Sequence, residues 1–91
     1  MMTSTEIDTL IRLIVQPIVT HPESVAVSME RTSKFEQYTL DVHASDVGRV
    51  IGRHGHVAAD IRTIVYSTIN DKSRKVRLVI NDHRNHETPT P

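Results

Sequence analysis

Two glycines that enclose two polar residues interrupt a helix-like pattern in the middle of the chain. The segment Gly52-Arg53-His54-Gly55 follows a short apolar stretch and precedes a helical pattern at 57–65. Because glycine lacks a Cβ, the backbone at both positions can turn sharply and approach another backbone closely. A helix that begins after such a turn presents free N–H groups and the positive end of its dipole. The segment is therefore predicted to be a tight loop between two helices, suited to an anionic sugar-phosphate chain.

Length and composition limit the classes of protein to consider. A chain of 91 residues corresponds to one domain. It has no cysteine, which excludes disulfides and thiolate metal sites, and its eleven basic residues balance eleven acidic ones. Any positive field must therefore be local. No apolar run approaches the roughly 18 residues of a membrane span, and the N-terminal MMTSTEID lacks a signal core, so we expect a cytoplasmic protein.

Apolar periodicity predicts a helix at the start of the chain. Thr3 and Glu6 have the spacing of a capping box, which would begin the helix at about residue 4, and Pro17 would kink or end it. The apolar stripe of this helix comprises Ile7, Leu10, Ile11, Ile14, Val15 and Ile18.

Alternating apolar residues predict three strands. The inward positions are Val25, Val27 and Met29 in the first strand, Tyr38, Leu40 and Val42 in the second, and Val76, Leu78 and Ile80 in the third. The polar residues 31–34 are predicted to form a hairpin turn that pairs the first two strands antiparallel. The third strand follows a helical crossover, which favours parallel pairing with the second.

The predicted loop joins a short helix to a longer one. Ser45 is the predicted N-cap of the short helix, with Asp46 in its first turn. The longer helix is predicted from about His56 to Ile69, ending at the polar residues 70–73. Its predicted buried positions are Val57, Ile61, Ile64, Val65 and Thr68. The result is an α+β domain with a three-stranded mixed sheet and helices packed on one face.

This order of elements resembles a type II KH domain (α-β-β-α-α-β), in which a GxxG loop separates two helices. The runs LIVQPIVTHPESVAV, DVGRVIGRHG, AADIRTIVYS and KVRLVIND resemble the small bacterial single-KH-domain RNA-binding proteins of the KH domain protein A family. The resemblance spans about residues 5 to 82. We therefore expect a KH domain over residues 1–82 and a disordered C-terminal tail over 83–91.

The resemblance implies a function and partners. It implies a cytoplasmic protein that binds single-stranded RNA, acts as a post-transcriptional regulator or RNA chaperone, and is linked to the control of cell shape, cell-wall organisation and division. It also implies a heterodimer with a Jag-type KH protein, or a homodimer. Nothing in the sequence indicates an enzyme, a cofactor, a small-molecule substrate or a membrane partner.

The candidate RNA-binding residues are Arg49, Val50, Ile51, Gly52, Arg53, His54, Gly55 and His56. Arg53 is the predicted phosphate contact because its forked guanidinium is always charged. Arg49 and Arg62 would widen the positive edge, or pair with Asp46 or Asp60. The aliphatic groove for bases would be floored by Val50, Ile51, Val57 and Ile61, and Gly48 and Ala58 would let a base approach. The family commonly has lysine, glutamine or arginine where this chain has His54 and His56.

Alternatives to each of these interpretations remain open. The two glycines would also serve as ordinary helix caps, and the aliphatic groove residues as ordinary core. A KH fold with little nucleic-acid affinity would act as a protein-interaction module for dimerisation. The pairs His54 and His56, or His83 and His86, supply imidazoles for a metal, but no cysteine or carboxylate accompanies them at zinc-site spacing.

Overall fold

A three-stranded mixed sheet forms the base of the molecule. The computed structural model describes residues 3–69 and 74–82. Strands β1 (Ala26–Arg31), β2 (Glu36–Asp41) and β3 (Val76–Ile80) lie in the order β1-β2-β3. The β1–β2 pair is antiparallel and the β2–β3 pair is parallel. Both pairings confirm the topology predicted from the sequence.

Three helices cover one face of this sheet. They are α1 (Ser4–Val15), α2 (Val47–Ile51) and α3 (His56–Ser67). α1 packs on β1 and α3, and α3 packs on α2 and β3. The predicted α+β arrangement of a type II KH fold is confirmed. Within the described ranges, no helix is long and apolar enough to cross a membrane.

The buried core lies between the helices and the sheet. The predicted inward positions Tyr38, Leu40 and Leu78 are buried, whereas Val27 and Met29 on the edge strand are half-buried. The other buried apolar side chains include Ile7, Ile11, Val15, Val19, Val25, Val42, Val47, Val50, Ala58, Ile61 and Val65.

The first helix begins and ends as predicted. The Thr3 Oγ1 atom accepts the N–H of Glu6 at 3.2 Å, and the Glu6 carboxylate accepts the N–H of Thr3 at 2.9 Å. This reciprocal pair satisfies two of the N–H groups that a helix leaves without partners at its start. The helix stops at Val15, two residues before Pro17, which cannot donate a helical hydrogen bond.

The hairpin between β1 and β2 is closed by a threonine. Thr32 Oγ1 accepts the N–H groups of Lys34 and Phe35, at 3.1 and 3.0 Å. The loop is therefore residues 32–35, one position later than predicted, because Arg31 still pairs with Glu36 in the ladder. Arg74, just before β3, forms two hydrogen bonds with the Glu36 carboxylate, at 3.0 and 3.2 Å.

Three sequence-based predictions about the helices are wrong. Ser45 is not an N-cap: it lies inside a 3-10 turn at Ala44–Asp46 that precedes α2. Asp46, predicted in the first turn of the short helix, is instead the N-cap of α2, and its side chain is fully buried. Ile64 is 45% exposed, because the buried stripe of α3 passes through Ala58, Ile61 and Val65 instead.

Two predictions lie outside the described residues. These are the polar break at 70–73 and the disordered tail at 83–91. α3 itself ends at Ser67, two residues before the predicted end, where Thr68 caps it.

Candidate nucleic-acid interface

The loop between α2 and α3 has an unusual backbone at three of its four residues. Gly52 has φ 77° and ψ 175°, His54 has φ 56° and ψ 23°, and Gly55 has φ 76° and ψ 12°. The conformation at Gly52 belongs to a region that only glycine occupies readily. His54 is the one residue other than glycine with positive φ in the described chain, and histidine tolerates this region better than most residues. The loop is therefore held in a defined shape.

Gly52 is required by contact as well as by conformation. A Cβ at this position would lie 2.7 Å from the Cβ of Val57 and 2.9 Å from its backbone nitrogen, and would overlap its Cγ2. At Gly55 a Cβ would meet nothing within 4 Å. The loop thus folds tightly back onto the start of α3 at Gly52 only. Gly52 is also the C-cap of α2 and Gly55 the N-cap of α3, as the capping alternative predicted.

The polar side chains of the loop face solvent. Arg53, His54 and His56 are all exposed, and the rings of His54 and His56 lie 6.0 Å apart at an angle of 54°. Arg49 lies one turn before Arg53, and its side chain is 58% exposed. One arginine on each side of Gly52 therefore has an exposed side chain, although Arg49 also pairs with Asp46, as the alternative predicted from the sequence had it.

The start of α2 is fixed by a buried carboxylate. Asp46 Oδ1 accepts the N–H of Thr20 at 3.0 Å and its hydroxyl at 2.8 Å, and Oδ2 accepts the N–H of His21 at 2.9 Å. Burial alone would raise the pKa of Asp46, but these hydrogen bonds outweigh it and lower the pKa to about 2. Arg49 Nε lies 3.7 Å from Oδ1. Asp46 therefore ties α2 to the segment that follows α1.

The predicted groove floor is divided between core and surface. Val50 has no exposed area and Ile61 is 2% exposed, so both side chains belong to the core and not to the groove, which corrects the prediction for them. Ile51 and Val57 are half-buried and flank the loop, where they remain candidates. Of the two small residues, Gly48 is exposed with open space above it, and Ala58 is buried.

Arg62 has a different role from either that the sequence suggested. Its Nε donates to the carbonyl of Leu78 at 3.0 Å, which joins α3 to β3. Tyr66, one turn later, accepts the N–H of Leu78 through its hydroxyl at 2.9 Å. Both side chains therefore hold the helix to the sheet edge. Arg62 does not widen the positive edge of the loop.

A pair of stacked histidines beside Asp46 was not predicted from the sequence. The rings of His21 and His43 lie 4.0 Å apart and within 12° of parallel. The two residues are 22 positions apart in the sequence and belong to no periodic pattern, so no local signal joins them. The polar run Thr20-His21 before a proline was the only available hint.

The histidines assemble no metal site in the part of the chain that the structure describes. There, no group of three or more histidine, cysteine or acidic side chains is placed to hold a metal ion. The candidate pair His83 and His86 lies outside the described residues.

A family model described as "KhpA/KhpB, KH domain" matches residues 8–80. This range contains the three strands, the loop and most of the three helices. The family is defined by a KH domain and not by an enzymatic activity, which confirms the prediction that the chain is not an enzyme. No solved structure matches the chain significantly.

Proteins named RNA-binding protein KhpA are similar over nearly their whole length. The one from Lactiplantibacillus plantarum is 44% identical over 77 residues, which cover 85% of this chain and 91% of the relative. That from Streptococcus pneumoniae TIGR4 is 45% identical over 76 residues, covering 84% and 95%. That from Bacillus subtilis 168 is 41% identical over 81 residues, covering 89% and 100%.

Proposed function

Because the chain belongs to the KhpA/KhpB KH-domain family, we propose that it binds single-stranded RNA through the loop at residues 52–55. The observation that carries the proposal is the backbone of that loop. Its two glycines remove side chains where a sugar-phosphate chain would pass, and Gly52 brings the loop against the start of α3. The relatives' name, RNA-binding protein KhpA, supports RNA as the ligand. RNA also fits the cytoplasmic location expected from the sequence.

The phosphates are held by few charges in this proposal. Arg53 lies in the loop and Arg49 one turn before it, both exposed, and α3 begins immediately after Gly55. A guanidinium forms charge-assisted, often bidentate hydrogen bonds with phosphate, and the helix N-terminus adds a partial positive charge. Together these groups neutralise about two or three phosphates, which predicts a log–log salt slope of about −1.5 to −2 for a single strand.

The bases are received by an aliphatic surface in this proposal. Ile51 and Val57 lie on either side of the loop and are only half-buried, and Gly48 leaves open space beside them. KH domains hold about four nucleotides, and each unpaired base brings an apolar face that such a surface accepts. Duplex RNA has no free base faces, so we expect selection for single strands. One small site of this kind gives affinities in the micromolar range.

The test replaces Arg53 and His54 together with aspartate. Both side chains are exposed, so we expect the melting temperature to stay nearly unchanged while RNA affinity is lost, because two negative charges would face phosphate. A matched control replaces Ser33 and Lys34 with aspartate, which changes the net charge equally on the exposed hairpin. Fluorescence anisotropy with a labelled single-stranded RNA gives both affinities. Equal affinities for the two double variants would contradict the proposal.

We further propose that the RNA complex acts in post-transcriptional control or RNA chaperoning, with a second KH-containing protein of the Jag type as partner. The family description, which joins KhpA with KhpB, supports such a partner, and the link to cell shape and division rests on the resemblance alone. Crosslinking in cells, with sequencing of the bound RNA and identification of co-purified protein, tests both parts.

A protein-interaction module with little RNA affinity is the second candidate. It is favoured by the zero net charge and by exposed apolar side chains on two helices, Leu13 on α1 at 65% and Ile64 on α3 at 45%. Leu13→Lys would then shift a dimer toward monomer in analytical ultracentrifugation without changing RNA affinity. Absence of salt-sensitive RNA binding by the wild-type chain would favour this second function.

A further inference from the structure

The stacked histidine pair lies on the surface and is held rigidly. His21 has a side chain that is 40% exposed, and His43 is an exposed residue. Their parallel contact uses one face of each ring. Apart from its histidines, the chain has three aromatic residues, Phe35, Tyr38 and Tyr66, and Tyr38 is buried. The pair therefore presents an exposed, flat aromatic surface in a chain that has few exposed aromatic side chains.

Hydrogen bonds fix the orientation of both rings. His21 Nδ1 lies 2.9 Å from Thr20 Oγ1 and 3.4 Å from Asp46 Oδ2. Since the Thr20 hydroxyl donates to Asp46, the proton of this contact belongs to His21 Nδ1. His43 Nδ1 accepts the N–H of Ser45 at 3.1 Å and so caps the 3-10 turn. Ring positions fixed in this way lose little freedom when a ligand binds.

The histidine pair lies beside the start of α2, and the loop at residues 52–55 follows the end of the same helix. His21 and Arg49 contact the same Asp46 carboxylate, and Arg49 precedes Gly52 by three residues in α2. At about 1.5 Å per residue, Asp46 and Gly52 are separated by about 9 Å along the helix. A single-stranded RNA that extends from the loop along α2 would therefore pass Arg49 before it reaches the two histidine rings.

We propose that the outer face of the His21–His43 pair stacks one additional RNA base, beyond those held in the groove beside the loop. The inference rests on the proposed function and extends it. Unstacked RNA bases are commonly received on aromatic side chains, including histidine, and such stacking tolerates every base. Arg49 then contacts the phosphate between the groove and the stacked base. The site takes a single-stranded RNA longer than the four nucleotides typical of the fold.

The experiment separates the ring of His43 from its capping role. His43→Asn keeps an acceptor for the Ser45 N–H and removes the ring, whereas His43→Trp keeps a ring and removes the acceptor. Because the chain has no tryptophan, this second variant also places a single fluorophore at the site. Ser28→Trp, on the exposed face of β1 away from the helices, is the matched control. The probes are degenerate single-stranded RNA pools of four and of eight nucleotides.

We expect His43→Asn to lower affinity for the eight-nucleotide pool by about fivefold to tenfold, the lower end of base–aromatic stacking, and to leave the four-nucleotide pool within about twofold. The tryptophan of His43→Trp should be quenched by the longer pool, and that of Ser28→Trp should not. Wild-type affinity in His43→Asn together with an unquenched His43→Trp at saturation would overturn this inference alone. If the wild type binds neither pool, the proposed function fails and this inference fails with it.

Discussion

The two ends of α2 are held in opposite ways. At its start, Asp46 is buried and its carboxylate oxygens accept hydrogen bonds from the backbone and side chain of Thr20 and from His21. At its end, Gly52 begins a loop with three positive φ angles, whose polar side chains are exposed. The start of α2 is thus held by a buried, fully hydrogen-bonded carboxylate, whereas its end has exposed polar side chains on a strained backbone.

This difference indicates how a helix of five residues can position a strained loop. A helix this short has little stability of its own, so its position depends on what holds its ends. The carboxylate fixes the start against the segment after α1, and the close contact of Gly52 with Val57 fixes the end. The polar side chains of the loop are then not needed to hold its backbone in place and can contact a ligand.

The largest effect on stability is expected from Asp46→Ala. This change removes the buried carboxylate that accepts the N–H groups of Thr20 and His21 and the hydroxyl of Thr20. Because three donors lose their acceptor, we expect a loss of about 4 kcal/mol or more and a fall in melting temperature of about 20 °C or more. Circular dichroism melts measure it directly. A fall smaller than that of an exposed-site change, such as Thr63→Ala, would show that the carboxylate is not what holds the helix.

A set of three glycine variants tests the other end of the helix. Gly52→Ala should cost at least about 3 kcal/mol, because positive φ and overlap with the Val57 backbone add together. Gly55→Ala has the same sign of φ without the overlap and should cost about 1–2 kcal/mol. Gly48→Ala, in the helix with open space around it, should stabilise by about 0.5–1 kcal/mol.

Chemical denaturation gives the free energies of unfolding for these variants. The order of the three values is the critical result, since they share one substitution and lie within eight residues of each other. Equal costs for Gly52→Ala and Gly55→Ala would mean that the loop relaxes away from Val57. The backbone of the loop at residues 52–55 would then not be fixed by its contact with Val57.

Most of the fold follows from signals that are local in the sequence. Alternation predicted the strands, and the short link and the helical crossover predicted their pairing. The capping box predicted the start of α1, and the glycine spacing predicted the loop. Apart from the β2–β3 pairing, which joins residues 40 positions apart, each of these features depends on residues within a few positions of one another. Periodicity alone wrongly placed Ile64 in the core, because α3 packs on α1, α2 and β3, and its buried side chains are Ala58, Ile61 and Val65.

The contacts that determine the site are not local. Asp46 bonds residues 25 and 26 positions away, and His43 stacks on a ring 22 positions earlier. An aspartate at the start of a helix pattern resembles an ordinary first-turn acid, so its burial could not be predicted without the tertiary structure. The hydrogen bond from Arg62 to the Leu78 carbonyl on β3 could not be predicted either, because no local sequence pattern joins these two residues.

Acid should lower the free energy of unfolding, in part because the buried Asp46 carboxylate becomes protonated. Hydrogen bonds keep the pKa of Asp46 at about 2, below its unfolded value of 3.8, so the folded state binds this proton less readily than the unfolded state. The stabilisation is complete above about pH 5 and is lost as pH falls toward 2. The hydrogen bonds from Arg74 also lower the pKa of Glu36, which adds to the same loss.

The Asp46→Asn variant separates these two carboxylates. Its amide keeps one acceptor oxygen but cannot titrate, so it lacks the part of the acid sensitivity that belongs to Asp46. We expect the difference in melting temperature between wild type and Asp46→Asn to narrow between pH 6 and pH 3. A difference that stays constant over this range would contradict the assignment of the buried carboxylate as the acid-sensitive group.

The smallest effect is expected at the exposed end, from His56→Arg. His56 is exposed at the first position of α3, where an imidazole is mostly uncharged at pH 8 and a guanidinium is always charged. If residue 56 faces phosphate, His56→Arg should bind single-stranded RNA about twofold to fivefold more tightly at pH 8. The slope of log affinity against log salt concentration, measured by fluorescence anisotropy, should become steeper by about 0.7. His43→Asn, measured beside it, separates any contribution of the stacked pair. Unchanged affinity and slope in His56→Arg would place the phosphates on Arg53 and Arg49 alone.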